Sequence, residues 1–458
     1  MFSQVIAQVG ALEDAAAQES LTRDSAILAE QFYFFTVVLM WLIHAGFMSY
    51  EAGVARRKNV MSTAMKNILT IAVVTPSFYY FGWMIYGCAQ PGIPISPGSD
   101  DFSSITCASS IMSGAIIERA RISAYLVLAV LLGSVVWILD AAWGWSAGGW
   151  LTLRFGFHDS IASAVVHGVA GAFTLGVLFN LGPRIGKYTR EGLARQFRPH
   201  NLHITALGLM LIFTGFYAFY GACLVISSTA FPGWATIYLS PTTLGSITMV
   251  ITFGFAGGFT GGYFVSRGDP FWTISCGLAG VIGVSAGADV YAPTLAYLVA
   301  MVTAVLVFYA GGLIEKRFRV DDAVGAVAVH GVSGFLGILW VGVLAAGYPT
   351  GLNNVESSIG GQLMGLATFL PLGFLSGWGA SWILKQLGVL RVPVEVELEG
   401  LDVAEYGYDF YPEHAAVLES MQEPDGTIVQ SKPVMDVALG DLNGHTHPPD
   451  RVPAGGSS

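Results

Sequence analysis

The sequence predicts an all-α polytopic membrane protein: eleven transmembrane helices, arranged as two inverted five-helix repeats plus an eleventh helix. Three observations predict it. Of 458 residues, 53% are hydrophobic and only 11% are charged, where a soluble domain carries roughly 25% charged residues. The apolar residues gather into eleven runs, most of them long enough for a spanning helix of roughly 20 residues. Finally, Val166-His167-Gly168-Val169-Ala170-Gly171 returns as Val329-His330-Gly331-Val332-Ser333-Gly334, and each copy follows an aspartate, Asp159 or Asp322, at the same spacing. A membrane barrel would instead read as alternating segments of about ten residues.

In order, the runs have cores near 32–53, 65–88, 103–117, 122–141, 160–181, 202–226, 242–265, 271–288, 292–314, 323–346 and 359–384. The third and eighth are short. Glycine, at 57 residues, is spread through them, which suits close helix packing through small side chains. Lys and Arg then set the orientation. All but Arg23 and Arg154 follow odd-numbered spans, from Arg56, Arg57 and Lys58 to Lys385 and Arg391. The positive-inside rule therefore puts the N-terminus outside and the C-terminus in the cytoplasm of a cell (inner) membrane protein. Spans 1–5 and 6–10 then run in opposite senses, with one histidine on span 5 and the other on span 10. Gly46-Phe47 in span 1 is echoed by Gly215-Phe216 in span 6.

Outside the spans the reading is sparser. Residues 1–30 are acidic and lack a basic start before an apolar core, so they read as an extracytoplasmic lead-in rather than a secretory signal. Residues 31–390 form the membrane domain, and 391–458 a cytoplasmic, partly disordered regulatory tail. The net charge of −10 owes much to that tail, which is polar and rich in Pro and Gly from about residue 412. Cys88, Cys107, Cys223 and Cys276 have no metal-type spacing. Cys88 and Cys107 fall near one membrane face, and a disulfide between them is open. No nucleophile–base arrangement, phosphate loop or metal cluster is recognisable, so an enzyme, a cofactor and a nucleic-acid partner are not expected.

The two histidines are the strongest functional signal. A charged group at bilayer depth costs about 2.5–3.5 kcal/mol on insertion scales, so ionisable residues there mark pathways and sites. Neutral imidazole has one donor and one acceptor nitrogen, so two rings can bond each other, offer polar partners to a small amine and relay a proton. The bland alternative is a pair of interior histidines that ties two helices together.

At this point the residues resemble the ammonium transporter (Amt/Rh) family, closest to its prokaryotic Amt branch. Ala45-Gly46-Phe47, Tyr50-Glu51-Ala52-Gly53 and Arg56-Arg57-Lys58-Asn59 resemble its first-helix pattern. Ser113-Gly114-Ala115-Ile116-Ile117-Glu118-Arg119, Gly156-Phe157-His158-Asp159 through His167, Leu181-Gly182-Pro183-Arg184, Pro199-His200-Asn201-Leu202 and Asp321-Asp322 through Gly331 follow in the family's order. The resemblance implies a homotrimer with one pore per subunit. It implies an outer recruitment site for the ammonium cation, an aromatic gate, and a pore lined by His167 and His330. Tail residues Gly400 to Gly407 resemble a stretch that docks on a neighbouring subunit and answers to a PII-type signal protein, with Tyr406 where histidine is common.

The outer cage departs from the family. The second gate aromatic matches Phe219, and Phe216 holds the neighbouring indole position. Cys223 replaces a serine, and Ser104 stands at the first gate phenylalanine. The recruitment tryptophan falls on Ser146 or Ala147. Indole is the best face for cation–π contact, at about 0.5–2 kcal/mol, so its loss weakens and widens the site. Phe102, Trp143 or Trp145 are candidate substitutes, and Asp100 and Asp101 could concentrate cations. Asp159 reads either as long-range help to a cation or as a helix-start cap, and Asp322 as a cap. His44, where the family often has a non-ionisable residue, reads as facing a polar cavity or a neighbouring helix. Three functions stay open: ammonium transport, transport of a larger or quaternary amine, and ammonium sensing on the same scaffold.

Overall fold

The apolar runs do become helices. The computed structural model describes residues 2–88, 102–146, 148–225, 243–348, 355–407 and 410–411. The chain forms two compact units, Met1–Tyr408 and Asp409–Ser458. Among the described residues every named element is helical, and nine helical stretches are long and apolar enough to cross a membrane. Two shorter helices, Phe102–Ala115 and Pro270–Ser285, fall where the short third and eighth runs were expected. This is a multi-pass membrane protein. Large apolar side chains face outward, Phe264 at 72% exposure and Tyr79 at 63%, as a lipid-facing surface requires.

The first helix runs unbroken from Phe2 to Val54, so the boundary expected near residue 30 is not a break in the backbone. The Ala, Glu, Gln and Leu of the lead-in are good helix formers, and they extend the first span beyond its apolar part. The expectations for Asp100, Asp101, Ala147 and the tail from 412, and for the side chains of Cys88, Phe102, Ser104 and Cys107, lie outside the described residues.

Helices approach closely through glycine. The first helix packs along Leu202–Val225, where Gly46 lies against Gly208 and Ile212, Gly53 against Thr205, and Gly215 against Ile43. Ile359–Gln386 packs on Val169–Leu181 in the same way, with Gly373 and Gly377 on the backbone of Val169 and Phe173. With no hydrophobic force between helices in lipid, such small-residue seams supply the packing.

The basic loops gather at one end. Arg184 pairs with Asp321 at 2.8 Å and reaches Glu118 at 3.5 Å, while Arg56 holds Glu118 at 2.6 Å. The Arg119 guanidinium donates to the Asp321 carbonyl at 2.5 Å. Burial alone would raise the Asp321 carboxyl, but Arg119 and Arg184 overcome it and hold it well below the usual carboxylate range. Residues 391–406 close this end. Asp402 accepts from the amides of Met61 and Ser62 at 3.0 and 2.8 Å, capping the start of Val60–Ser77. Glu397 accepts from the Ile185 amide at 2.7 Å and from Arg391 at 2.7 Å. This segment thus docks on its own chain.

Candidate functional site

The site is built where the two copies of the repeated stretch cross. Asp159 turns its carboxylate onto the amides of Ser163, Ala164 and Val165 at 2.7, 2.7 and 3.0 Å. Asp322 does the same to Val327 at 2.7 Å. Both act as caps at helix starts, where free amides need acceptors. Burial pushes the Asp159 carboxyl up to about 6, against the pull of those amides.

Each cap is followed by a left-handed residue, Ala162 (φ 60°) in one copy and Gly325 (φ 75°) in the other. Each copy then opens with a π-helical turn, Ser163–Gly168 and Val327–Val332, before continuing as α-helix. Both histidines lie in these turns. Such π turns are rare and concentrate at functional sites, because the widened turn displaces side chains from the regular α register.

The crossing is reciprocal. A Cβ on Gly171 would overlap the backbone of Gly331, and one on Gly334 would overlap that of Ser163 and Gly168. Exchanging the halves turns one contact into the other. With the backbones this close, the preceding histidines face each other. Their Nδ1 atoms are 3.0 Å apart, and their rings stack with centroids 5.1 Å apart. They are 2% and 4% exposed. One Nδ1 carries the proton and the other accepts it, and the two can exchange roles.

The aromatic neighbours follow the same exchange. Phe47 packs on His330 and Phe216 on His167, both with centroids 6.0 Å apart. These are the two phenylalanines of the Gly-Phe echo. Phe219 follows Phe216 at 6.4 Å, so the expected gate residue and the imidazoles form one aromatic row. Beyond it, the Tyr220 hydroxyl bonds Ser285. Ser160 donates to the Ser285 carbonyl at 3.1 Å and accepts the Trp145 indole N–H at 3.3 Å. Tyr220, Ser160 and Ser285 were not anticipated. Their contacts join separate spans, and Ser or Tyr in an apolar run carries no signal by itself.

The remaining candidates are placed less directly. The Ser146 hydroxyl donates to the Ala142 carbonyl at 2.8 Å, so it finishes its own helix. Trp145 and Trp143 are partly buried and packed on the core, and Trp143 lies 6.3 Å from Trp150. Cys223 is partly exposed at the end of the Phe216–Phe219 helix. His44 bonds Ser110 of the neighbouring helix at 3.3 Å. Among the described residues no group of three or more His, Cys, Asp or Glu is arranged to hold a metal.

The sequence profile of the Ammonium Transporter Family matches residues 31–95 and 100–411. The chain belongs to the ammonium transporter family. Among its relatives, ammonium transporter Amt2 of Archaeoglobus fulgidus is 30% identical over 82% of this chain and 86% of its own. Ammonium transporter Amt1 of Methanocaldococcus jannaschii is 28% identical over 81% of this chain and 94% of its own. Among solved structures, one titled "Sensor Amt Protein" superposes with a TM-score of 0.74 at 24% identity, over 82% of this chain and 98% of that one. Candida albicans Mep2 gives 0.68 at 18% identity, over 88% and 93%. At these identities the structures establish the family fold. Within that fold both histidine-bearing turns lie inside the matched residues.

Proposed function

We propose that this protein is an ammonium transporter. It takes the cation at an outer vestibule near Phe219, Trp145 and Cys223. It then passes amine through the paired histidines and moves the proton with it. Family membership supports the substrate. The observation that carries the mechanism is the 3.0 Å contact between two buried imidazoles. A charged cation would lose its hydration in that apolar setting, whereas a neutral amine needs only the donor and acceptor that such a pair presents.

The finer architecture belongs to the same reading: eleven spans, two inverted five-helix halves, a homotrimer, the N-terminus outside and the tail in the cytoplasm. The reciprocal glycine and phenylalanine contacts support the inversion, and the gathering of basic loops at one end supports the orientation. Docked residues 391–406 offer a PII-type protein a place from which to act.

A second reading, a bulkier or quaternary amine, is favoured by the outer cage, where the indole position falls on Ser146 or Ala147 and the Ser146 hydroxyl is spent on its own helix. Ammonium pulses on proteoliposomes decide between them. Ammonium alone should evoke current, and His167→Ala with His330→Ala should lower it at least about tenfold, or ~1.4 kcal/mol of barrier. Full current in that double variant would refute the paired-histidine mechanism. Block of uptake by excess choline would support the larger substrate.

A further inference from the structure

Positions 44, 47 and 51 of the first helix are spaced i, i+3, i+7 and share one face. Phe47, in the middle, packs on His330. A titratable group stands one turn to either side, and both are buried, His44 at 8% and Glu51 at 1% exposure. Each engages a serine of Phe102–Ala115. His44 Nδ1 lies 3.3 Å from the Ser110 hydroxyl, and the Ser113 hydroxyl donates to Glu51 at 2.5 Å. Ser113 also reaches the Ser110 carbonyl at 2.9 Å, so the two serines sit on adjoining turns. The other Glu51 oxygen accepts from Asn67 at 2.8 Å. Lys66, beside Asn67, is within electrostatic reach of Glu51 and of exposed Glu405.

Among the described residues, three polar atoms in this row have no hydrogen-bond partner: Asn67 Oδ1 within it, and His44 Nε2 and Lys66 Nζ at its two ends. A buried polar group left unpaired costs about 1–3 kcal/mol, so a network that served packing alone would close its ends. The fold does not need these residue types either. By the offset that maps Phe47 onto Phe216, His44 falls on Phe213 and Glu51 on Tyr220. Phe213 merely packs on Phe255, with ring centroids 4.3 Å apart, and Tyr220 bonds Ser285.

We propose that His44, Ser110, Ser113, Glu51 and Lys66 form a proton lane beside the histidine pair. It rests on the ammonium reading above. An N–H bond of the cation breaks, its electron pair stays on nitrogen, and the neutral amine continues past His167 and His330. The proton adds to His44 Nε2, and the Nδ1 proton leaves to Ser110. Ser110 releases its own hydroxyl proton, which crosses one turn to Ser113 by way of a water. Ser113 passes a proton to the Glu51 carboxylate, and Glu51 gives it up at the basic end beside Lys66 and Glu405. His44 is left with its proton on Nε2; loss of that proton and return of one to Nδ1 restore the starting tautomer, and amine and proton recombine as ammonium.

The test measures charge and labelled amine in the same proteoliposomes and takes their ratio, so a lower yield of folded protein cancels. His44→Gln keeps a side chain able to bond Ser110, and Glu51→Gln keeps an acceptor for Ser113, but neither amide takes up and passes on a proton. In both, charge per amine should fall at least about fivefold below wild type, since membrane proton relays run through titratable carboxylates and imidazoles. If Glu51→Gln does not fold, Ser113→Ala interrupts the same step and should show the same fall. An unchanged ratio in the variants overturns the lane, as does a wild-type protein that moves amine without charge. A wild type that moves no amine overturns the ammonium reading instead.

Discussion

At the scale of the residue, the pairing of His167 with His330 was legible because two histidines in matching apolar contexts imply a shared role. Their ring partners were only half legible. Phe216 stands out as a departure from a family pattern, and its ring packs on His167, a contact that the departure alone did not reveal. Phe47 gave only the echo Gly46-Phe47, which did not say what the ring touches. Asp159 had two readings, and its three amide contacts favour the structural one. Asp159→Ala should leave those amides unpaired and lower stability by about 2 kcal/mol. Asp159→Asn, which keeps one acceptor oxygen, should recover about half of that. Thermal unfolding in detergent checks both. If alanine and asparagine prove equally mild, the carboxylate is held for a cation rather than for the helix.

At the scale of the element, the apolar runs located the helices well but missed how two of them begin. The π turns at Ser163–Gly168 and Val327–Val332 were invisible because six residues of small and β-branched type cannot separate a period near 3.6 from a wider one. The glycines carried more information than their number suggested. Gly171 lies where any Cβ would meet the Gly331 backbone, whereas nothing lies within 4 Å of a Cβ on Gly379. Gly171→Ala must therefore push the two crossing helices apart, at about 1–3 kcal/mol, and lengthen the imidazole contact. Ammonium-evoked current should fall about tenfold or more. Gly379→Ala should leave current untouched and stabilise its helix by about 0.5–1 kcal/mol. Equal behaviour of the two variants would show that close crossing is not what positions the histidines.

At the scale of the whole molecule, the charge bias forecast which loops share a face, since orientation rules act on loops one by one. It did not forecast that those loops would lock together, because ion pairs between distant loops leave no local pattern. Asp321 is the centre of the lock. It joins the loop before the second histidine turn to Arg184 after the first, and through its carbonyl to Arg119. Asp321→Asn would take from Arg184, 4% exposed at its side chain, its nearest charge partner and leave only Glu118 at 3.5 Å. Removing one member of such a buried pair costs about 3–5 kcal/mol. The same bond dictates the response to acid. The Asp321 carboxyl titrates below its unfolded value, so its contribution is complete above about pH 4 and is lost as pH falls toward the folded value. Unfolding temperature followed from pH 7 down to acid should therefore drop in the native protein, and Asp321→Asn should start lower and drop less. Parallel curves for the two would mean that Asp321 does not set the acid limit.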